Sequence, residues 1–323
     1  MSKRKSVGDK LAALNDLRDD LSSPDAPRLI RQSLADQSNY VIQRAADLIA
    51  EADRRDFIAS LVEAYGRLTI NPLKTDLGCL GKTAIVRALV RLEHDDAEFY
   101  REGIVYEQPE PKRGGQRDTA AELRGLSAAG LVNCVSKLEV MNRCAVLLAD
   151  NCVEARVGAA QAIAACGQPE GAALLRLKLL TGDTSPEVIG ECCAALLRLA
   201  PEDGVPLVVR FLSSADGDVC VQAGLALGES RHPDALEALR VAWERQTDSN
   251  VRESLLLCAA IHRSPEASDF LLTLIVGTDL RAAVDAIKAL RIHGSSMRQR
   301  VEEAVMAARN PHLTKVFEDE WGQ

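Results

Sequence analysis

The run Gly78-Cys79-Leu80-Gly81-Lys82-Thr83 ends the way a nucleotide-binding P-loop ends. In such a loop the lysine meets the terminal phosphates and the hydroxyl meets magnesium. The motif also needs a glycine five residues before Gly81, and Asp76 stands there. It needs a preceding strand as well, and Ile70-Asn71-Pro72-Leu73 is a poor one because of its proline. Nucleotide binding is therefore not expected. The five histidines, His94, His232, His262, His293 and His312, are scattered, and no H-E-x-x-H motif, nucleophile elbow or paired-carboxylate motif occurs. The nine cysteines form no C-x-x-C pair, and no His/Cys spacing suits zinc. They read as small buried residues in a reducing compartment. No catalytic residue, metal or cofactor is expected.

Charged residues that could bind, though not react, remain. Their placement depends on the elements that carry them, and those follow from one spacing. Pro169, Pro201, Pro233 and Pro265 recur every 32 residues, each followed by an acid: Glu170, Glu202, Asp234 and Glu266. A fixed period of this length marks stacked helical repeats. In the unit from Gly217 to Asp248, Val219, Ala223, Ala226 and Leu227 share one helical face. That helix is predicted to stop near Arg231-His232, because Pro233 disfavours helical geometry in the residue before it. Pro233 suits the first turn of a second helix, where its missing N–H costs nothing. Leu236, Leu239, Val241 and Trp243 belong to that second helix, and Asp248 to Asn250 offer caps for the next one.

Stepping by 32 gives columns. Leu175, Leu207, Leu239 and Leu271 form one; Leu179, Phe211, Trp243 and Ile275 form another. A third, Gly130, Ala162, Ala194, Ala226 and Cys258, is small throughout, as close helix crossings require. Arg124, Arg156 and Arg252 align a few residues after Asp118, Asp150 and Asp248, and Lys82 lies in the same column.

The pattern from Val219 to Leu239 resembles the HEAT repeat, most closely the short variant named after phycobilisome lyases. It recurs from Ala155 to Leu175 and from Val251 to Leu271, and more weakly over nearly the whole chain. The resemblance implies an all-α fold: a right-handed α-solenoid, or superhelix, of about nine HEAT-like two-helix repeats, which the length also allows. In such repeats the Asp/Arg pattern links neighbouring units by ion pairs and caps. Metal-dependent hydroxylases of this architecture carry recurring His-Glu pairs, from which this sequence departs.

Along the chain, residues 1–10 are expected to be a flexible basic tail, and 11–308 a single solenoid. Leu11 to Leu21 reads as a helix, Ser22 to Pro27 as a turn and helix start, and Leu77 to Leu92 as one long helix. The clear departure from the period is at 107–117, Glu-Gln-Pro-Glu-Pro-Lys-Arg-Gly-Gly-Gln-Arg, which is read as an exposed loop insertion. Met297 to Ala308 reads as the last full helix, and 309–323 as a C-terminal cap or tail that either packs back or hangs free.

Composition narrows the partners. Aromatics are 3% of residues, so the core must be built from Ala, Leu and Val. The net charge of −8 lacks the basic footprint that general nucleic-acid binding needs. No long apolar run follows Met1-Ser2-Lys3-Arg4-Lys5, so no signal peptide is expected and the protein is read as soluble and cytoplasmic.

The expected function is a non-catalytic scaffold holding a protein or peptide partner on the concave surface lined by second helices. Arg176, Lys178, Arg210, Arg240 and Glu244 are the candidate residues there. A second candidate is a basic edge at the ends of first helices, Arg198, Arg231, Arg263 and Arg291. A third is the insert, through Lys112, Arg113 and Arg117. Two alternatives stay open: a bilin lyase-like enzyme, and a DNA-binding or glycosylase-like solenoid.

Overall fold

A computed structural model describes residues 6–18 and 23–322. Met1 to Lys5, together with the part of the expected first helix and turn at 19–22, lie outside the described residues. The described chain is almost wholly helical and falls into two compact units, Met1–Cys166 and Gly167–Gln323.

The first unit contains α1 (Val7–Leu17), α2 (Ala26–Leu34), α3 (Asn39–Glu51), α4 (Ile58–Ile70), the single turn α5 (Pro72–Thr75), α6 (Leu80–Arg91), α7 (Ala97–Gly103), α8 (Ala121–Leu131), α9 (Lys137–Leu147) and α10 (Val153–Cys166). Here α3 packs on α6, α6 on α8, and α8 on α10, so first helices stack directly on one another. The second unit contains α11 (Gly171–Thr181), α12 (Pro186–Leu199), α13 (Pro201–Val209), α14 (Gly217–Ser230), α15 (Pro233–Arg245), α16 (Ser249–Ile261), α17 (Pro265–Ile275), α18 (Leu280–Leu290), α19 (Ser295–Ala308) and α20 (Pro311–Trp321). In it α12, α14, α16 and α18 stack in order, and α13, α15 and α17 each follow and pack on a stacked helix. This is the repeated two-helix arrangement of an α-solenoid.

The proline period works as a turn device. Pro201, Pro233 and Pro265 each open a helix, while Pro169 lies two residues ahead of α11. Two residues before three of the four prolines the chain turns left-handed: Gly167 (φ 66°), Arg231 (φ 52°) and Arg263 (φ 58°). That conformation closes a helix and turns the chain towards the next one. Before Pro201 the preceding helix instead runs to Leu199 and breaks at Ala200 (φ −149°, ψ 70°). At helix starts, carboxylates take up the free amides: Asp216 those of Asp218 and Val219, Asp248 those of Asn250 and Val251, and Asp279 those of Arg281 and Ala282.

The leucine column is buried at all four positions, Leu175, Leu207, Leu239 and Leu271. In the neighbouring column Leu179, Trp243 and Ile275 are buried, but Phe211 is only half-buried and Leu212 points inward in its place. The cause is local. Pro206 lies inside α13, which ends at Val209, and Arg210–Ser213 continues as a 3-10 turn. A 3-10 turn advances about 120° per residue and so shifts the face by one position. Helices also approach closely at glycines outside the small column, in one case against a residue of that column. A Cβ on Gly158 would lie 2.3 Å from the Cα of Gly125, where α8 crosses α10. In the second unit a Cβ on Gly228 would lie 2.3 Å from the carbonyl oxygen of Cys258.

Four expectations change. Helix α1 begins at Val7, capped by Ser6 in a reciprocal pair with Asp9, so residues 7–10 are not tail. The helix expected over 77–92 begins only at Leu80, because Gly78 (φ 75°) and Cys79 (φ 54°) are left-handed. The insert is not an irregular loop: Pro109–Lys112 (β1) and Gly115–Asp118 (β2) pair as an antiparallel hairpin. Its Thr119 N–H donates to the Gln108 carbonyl (3.0 Å), which turns the nitrogens of Pro109 and Pro111 to the outer edge. Having no N–H there, that edge offers another strand only carbonyl acceptors. Finally, α20 is a further helix, and it packs back: Trp321 is buried and its indole N–H donates to the Ile287 carbonyl (3.2 Å).

Candidate interaction surface

The Lys82 column is structural. Lys82 and Asp76 are both fully buried, 2.8 Å apart. Asp76 also accepts the backbone N–H groups of Gly81 (2.7 Å) and Lys82 (3.0 Å) at the start of α6, and the Asn39 amide (3.2 Å). The helix N-terminus that a P-loop would offer to phosphate is thus occupied by the protein's own carboxylate.

The same offset of six residues recurs at Asp118 and Arg124. Arg124 is buried and forks between Asp118 (2.5 Å) and Asp150 of the next repeat (3.0 Å). Burial opposes ionisation of Asp118, but the amides of Gln108 and Ala120 and the Arg124 guanidinium outweigh it and hold the carboxyl below its usual range. Six residues before Arg252 stands Gln246, which offers only its carbonyl (3.3 Å). Arg252 instead lies over the Trp243 ring, 4.5 Å from its centroid, and reaches Asp279 of the next repeat at 3.5 Å. Asp248 caps α16 and does not pair with Arg252. The column therefore links repeats, as the resemblance implied: Arg124 and Arg252 reach an acid of the next repeat, while Lys82 and Arg124 also pair with the acid six residues before them.

The hairpin is anchored into this column. One carboxylate oxygen of Glu110 accepts the Gly78 N–H (2.7 Å), the Gln108 amide (2.7 Å) and the Thr119 hydroxyl (3.0 Å). Its tip projects polar residues: Lys112 and Arg113 are exposed without an ion-pair partner among the described residues, and Arg117 faces Glu154 at 3.6 Å.

The cysteines are mostly core residues. None of the nine is disulfide-bonded, seven are buried, and burial pushes the thiols of Cys79, Cys144 and Cys258 up to about 12. Among the described residues no three His, Cys, Asp or Glu side chains are placed to hold a metal ion.

The second-helix candidates do not form one patch. Lys178 is tied to Asp183 at 2.7 Å, and Arg176 is half-buried. Arg210 is exposed on the 3-10 turn after α13. Arg240 lies on the far flank of α15, where it covers the Phe270 ring of α17 (5.1 Å) and meets Glu237 at 3.6 Å. Glu244, one turn on, is exposed. The basic edge is mixed in sign. Arg291 is paired with Glu320 (2.6 Å), and acids follow Arg198, Arg231 and Arg263 within a few residues. Arg198, Arg231 and Arg263 are themselves exposed.

The near flank of α15 faces α13 across a groove of about 510 Å³. Its floor is Val209, Leu212, Ala238, Val241 and Ala242, most of them half-exposed. Asp234 and Glu237 stand at one end, and Arg245, Gln246, Ser213 and Ser214 at the other. Residues 234, 238, 241 and 245 follow the i, i+4, i+7, i+11 spacing of a single helical stripe. That stripe was legible in the sequence, yet Arg240 and Glu244 belong to the neighbouring one.

With this geometry in view, comparison with known proteins is specific about architecture. The family model for HEAT repeats matches residues 175–257 and 205–291. The HEAT-repeat likeness thus covers the region that holds the groove. No curated protein matches the sequence. Among solved structures, the Escherichia coli protein YibA is similar at 14% identity, covering 90% of this chain and 99% of its own, with a TM-score of 0.49. The complex of CpcE and CpcF of phycocyanin lyase from Nostoc matches at 17% identity over 88% of this chain and 93% of that one, TM-score 0.38. Human deoxyhypusine hydroxylase, in complex with glycerol, matches at 19% identity over 80% and 91%, TM-score 0.32. None is near enough for its activity to be carried over to this chain. Among the described residues no helix is long and apolar enough to cross a membrane.

Proposed function

We propose that this chain is a non-catalytic scaffold that binds a protein or peptide partner on the second-helix face of its HEAT repeats, in a reducing cytoplasm. The observation that supports it is the open groove beside α15. Apolar side chains that would be covered in a packed core stand half-exposed there, between charged ends. Cysteines without disulfides, most of them buried, fit a reducing compartment.

The test places a photo-crosslinking side chain at Val241, in the groove, and separately at Leu257, an exposed position on the stacked helix α16. A chain captured from Val241 and not from Leu257 is purified, and its binding to the unmodified protein is measured. Val241→Asp is expected to weaken that binding at least tenfold. Equal capture from both positions, or unchanged binding by Val241→Asp, would remove the reading.

A further inference from the structure

The groove beside α15 has a direction, and the direction constrains what lies in it. From Asp234 to Arg245 the helix rises about 16 Å, at 1.5 Å per residue. Acids hold one end of that span and Arg245 the other, with only apolar floor between them. Neither Asp234 nor Arg245 has an ion-pair partner among the described residues, and Glu237 has only Arg240, at 3.6 Å. The ends are also farther apart than the roughly 8 Å over which charges act in physiological salt, so each end senses its own ligand group.

The span between the charged ends then sets the length of the segment that bridges them. An extended strand at about 3.3 Å per residue covers the same span in about five residues. On this basis we propose that the groove receives an extended segment of a partner protein. The segment has a lysine or arginine at the Asp234–Glu237 end, apolar side chains over Val209, Leu212 and Val241, and an aspartate or glutamate at the Arg245 end. The Gln246, Ser213 and Ser214 side chains flank that second end and complete a polar rim. The inference rests on reading this face as the binding surface, and adds the chemistry of the segment it takes.

The probe is an array of synthetic five-residue peptides with blocked termini. The three central positions are drawn from Leu, Val, Ala and Ser, and the two end positions from Lys, Glu and Ser. Opposite-charge ends with an apolar centre should give the strongest signal, in either chain direction. Peptides with two lysines or two glutamates should bind about fivefold less tightly, the scale of one lost exposed ion pair. Arg245→Glu is an exposed change, and thermal melting confirms that the variant is folded. It should reverse the preference, so that two-lysine peptides bind best. The double variant Asp234→Lys with Glu237→Lys should favour two glutamates. Binding that ignores end charge, tolerates a serine centre, or keeps its preference in Arg245→Glu overturns the proposal. Total absence of array binding, with a partner still crosslinking from Val241, would overturn this segment chemistry while leaving the scaffold reading intact. Loss of both would sink the scaffold reading too.

Discussion

The ammonium of Lys82 lies 2.8 Å from the carboxylate of Asp76, and neither side chain touches solvent. A buried pair of this kind contributes little net stability while intact, yet breaking it leaves an uncompensated charge. Asp76→Ala is expected to destabilise the first unit by about 3–5 kcal/mol, because it strands Lys82 and also removes the cap on Gly81 and Lys82. Lys82→Met should cost less, since Asp76 keeps three N–H donors. Urea denaturation of the two variants gives the order. The reverse order would mean that the ammonium, and not the helix start, is what Asp76 serves.

The crossing of α8 and α10 supplies a second prediction. Gly125 and Gly158 touch backbone to backbone, and the atom a Cβ would meet is a Cα, not a flexible side-chain end. Gly158→Ala must therefore separate two helices, at a cost of about 3 kcal/mol. Ala162→Gly, one turn on in the same helix and buried, removes volume without any clash and should cost only about 1 kcal/mol. Comparable melting temperatures for the two variants would contradict the close approach.

The sequence carried the repeat well, because a helix pair that cannot bury its own face must repeat its apolar columns, and a proline turn must recur with them. It carried less where the local code is silent. The hairpin has no apolar alternation to reveal a strand, only Pro109 and Pro111 on one side and Gly114-Gly115 at the turn, so it read as a loop. Phe211 read as core until Pro206 and the 3-10 turn rotated Leu212 into its place. The candidate arginines were chosen by residue type on second helices. Which flank each one faces depends on the neighbouring helix, and Phe270 draws Arg240 away from the groove.

A pH effect is expected at the histidine end of the second unit. Burial, and then the nearby Arg263 charge, hold the His293 imidazole below its ordinary pKa, against a smaller opposing pull from the Ala260 carbonyl. The fold thus favours the neutral ring. Its contribution to stability is complete above the unfolded pKa of about 6.5 and is lost as pH falls below that value, where the unfolded chain takes up the proton first. Melting temperature should fall between pH 7.5 and 5.5 in the wild type, and fall less in His293→Gln. Identical pH slopes for the two proteins would show that His293 is not the group involved.

The turn arginines give the last prediction. Arg231 and Arg263 sit at φ 52° and φ 58°, in the register where Gly167 (φ 66°) stands in its own repeat. A side chain in the left-handed region costs roughly 1 kcal/mol, a strain that glycine does not feel. Neither arginine has an ion-pair partner among the described residues to offset that strain, so the fold alone would prefer glycine. Arg231→Gly and Arg263→Gly should each raise stability by up to about 1 kcal/mol, whereas Gly167→Ala should lower it by a similar amount. If the basic edge contacts a partner, the two stabilised variants should bind that partner less tightly, and calorimetry of the same proteins would separate the effects. A loss of stability in Arg231→Gly would show instead that the arginine stem packs on the turn and outweighs its backbone strain.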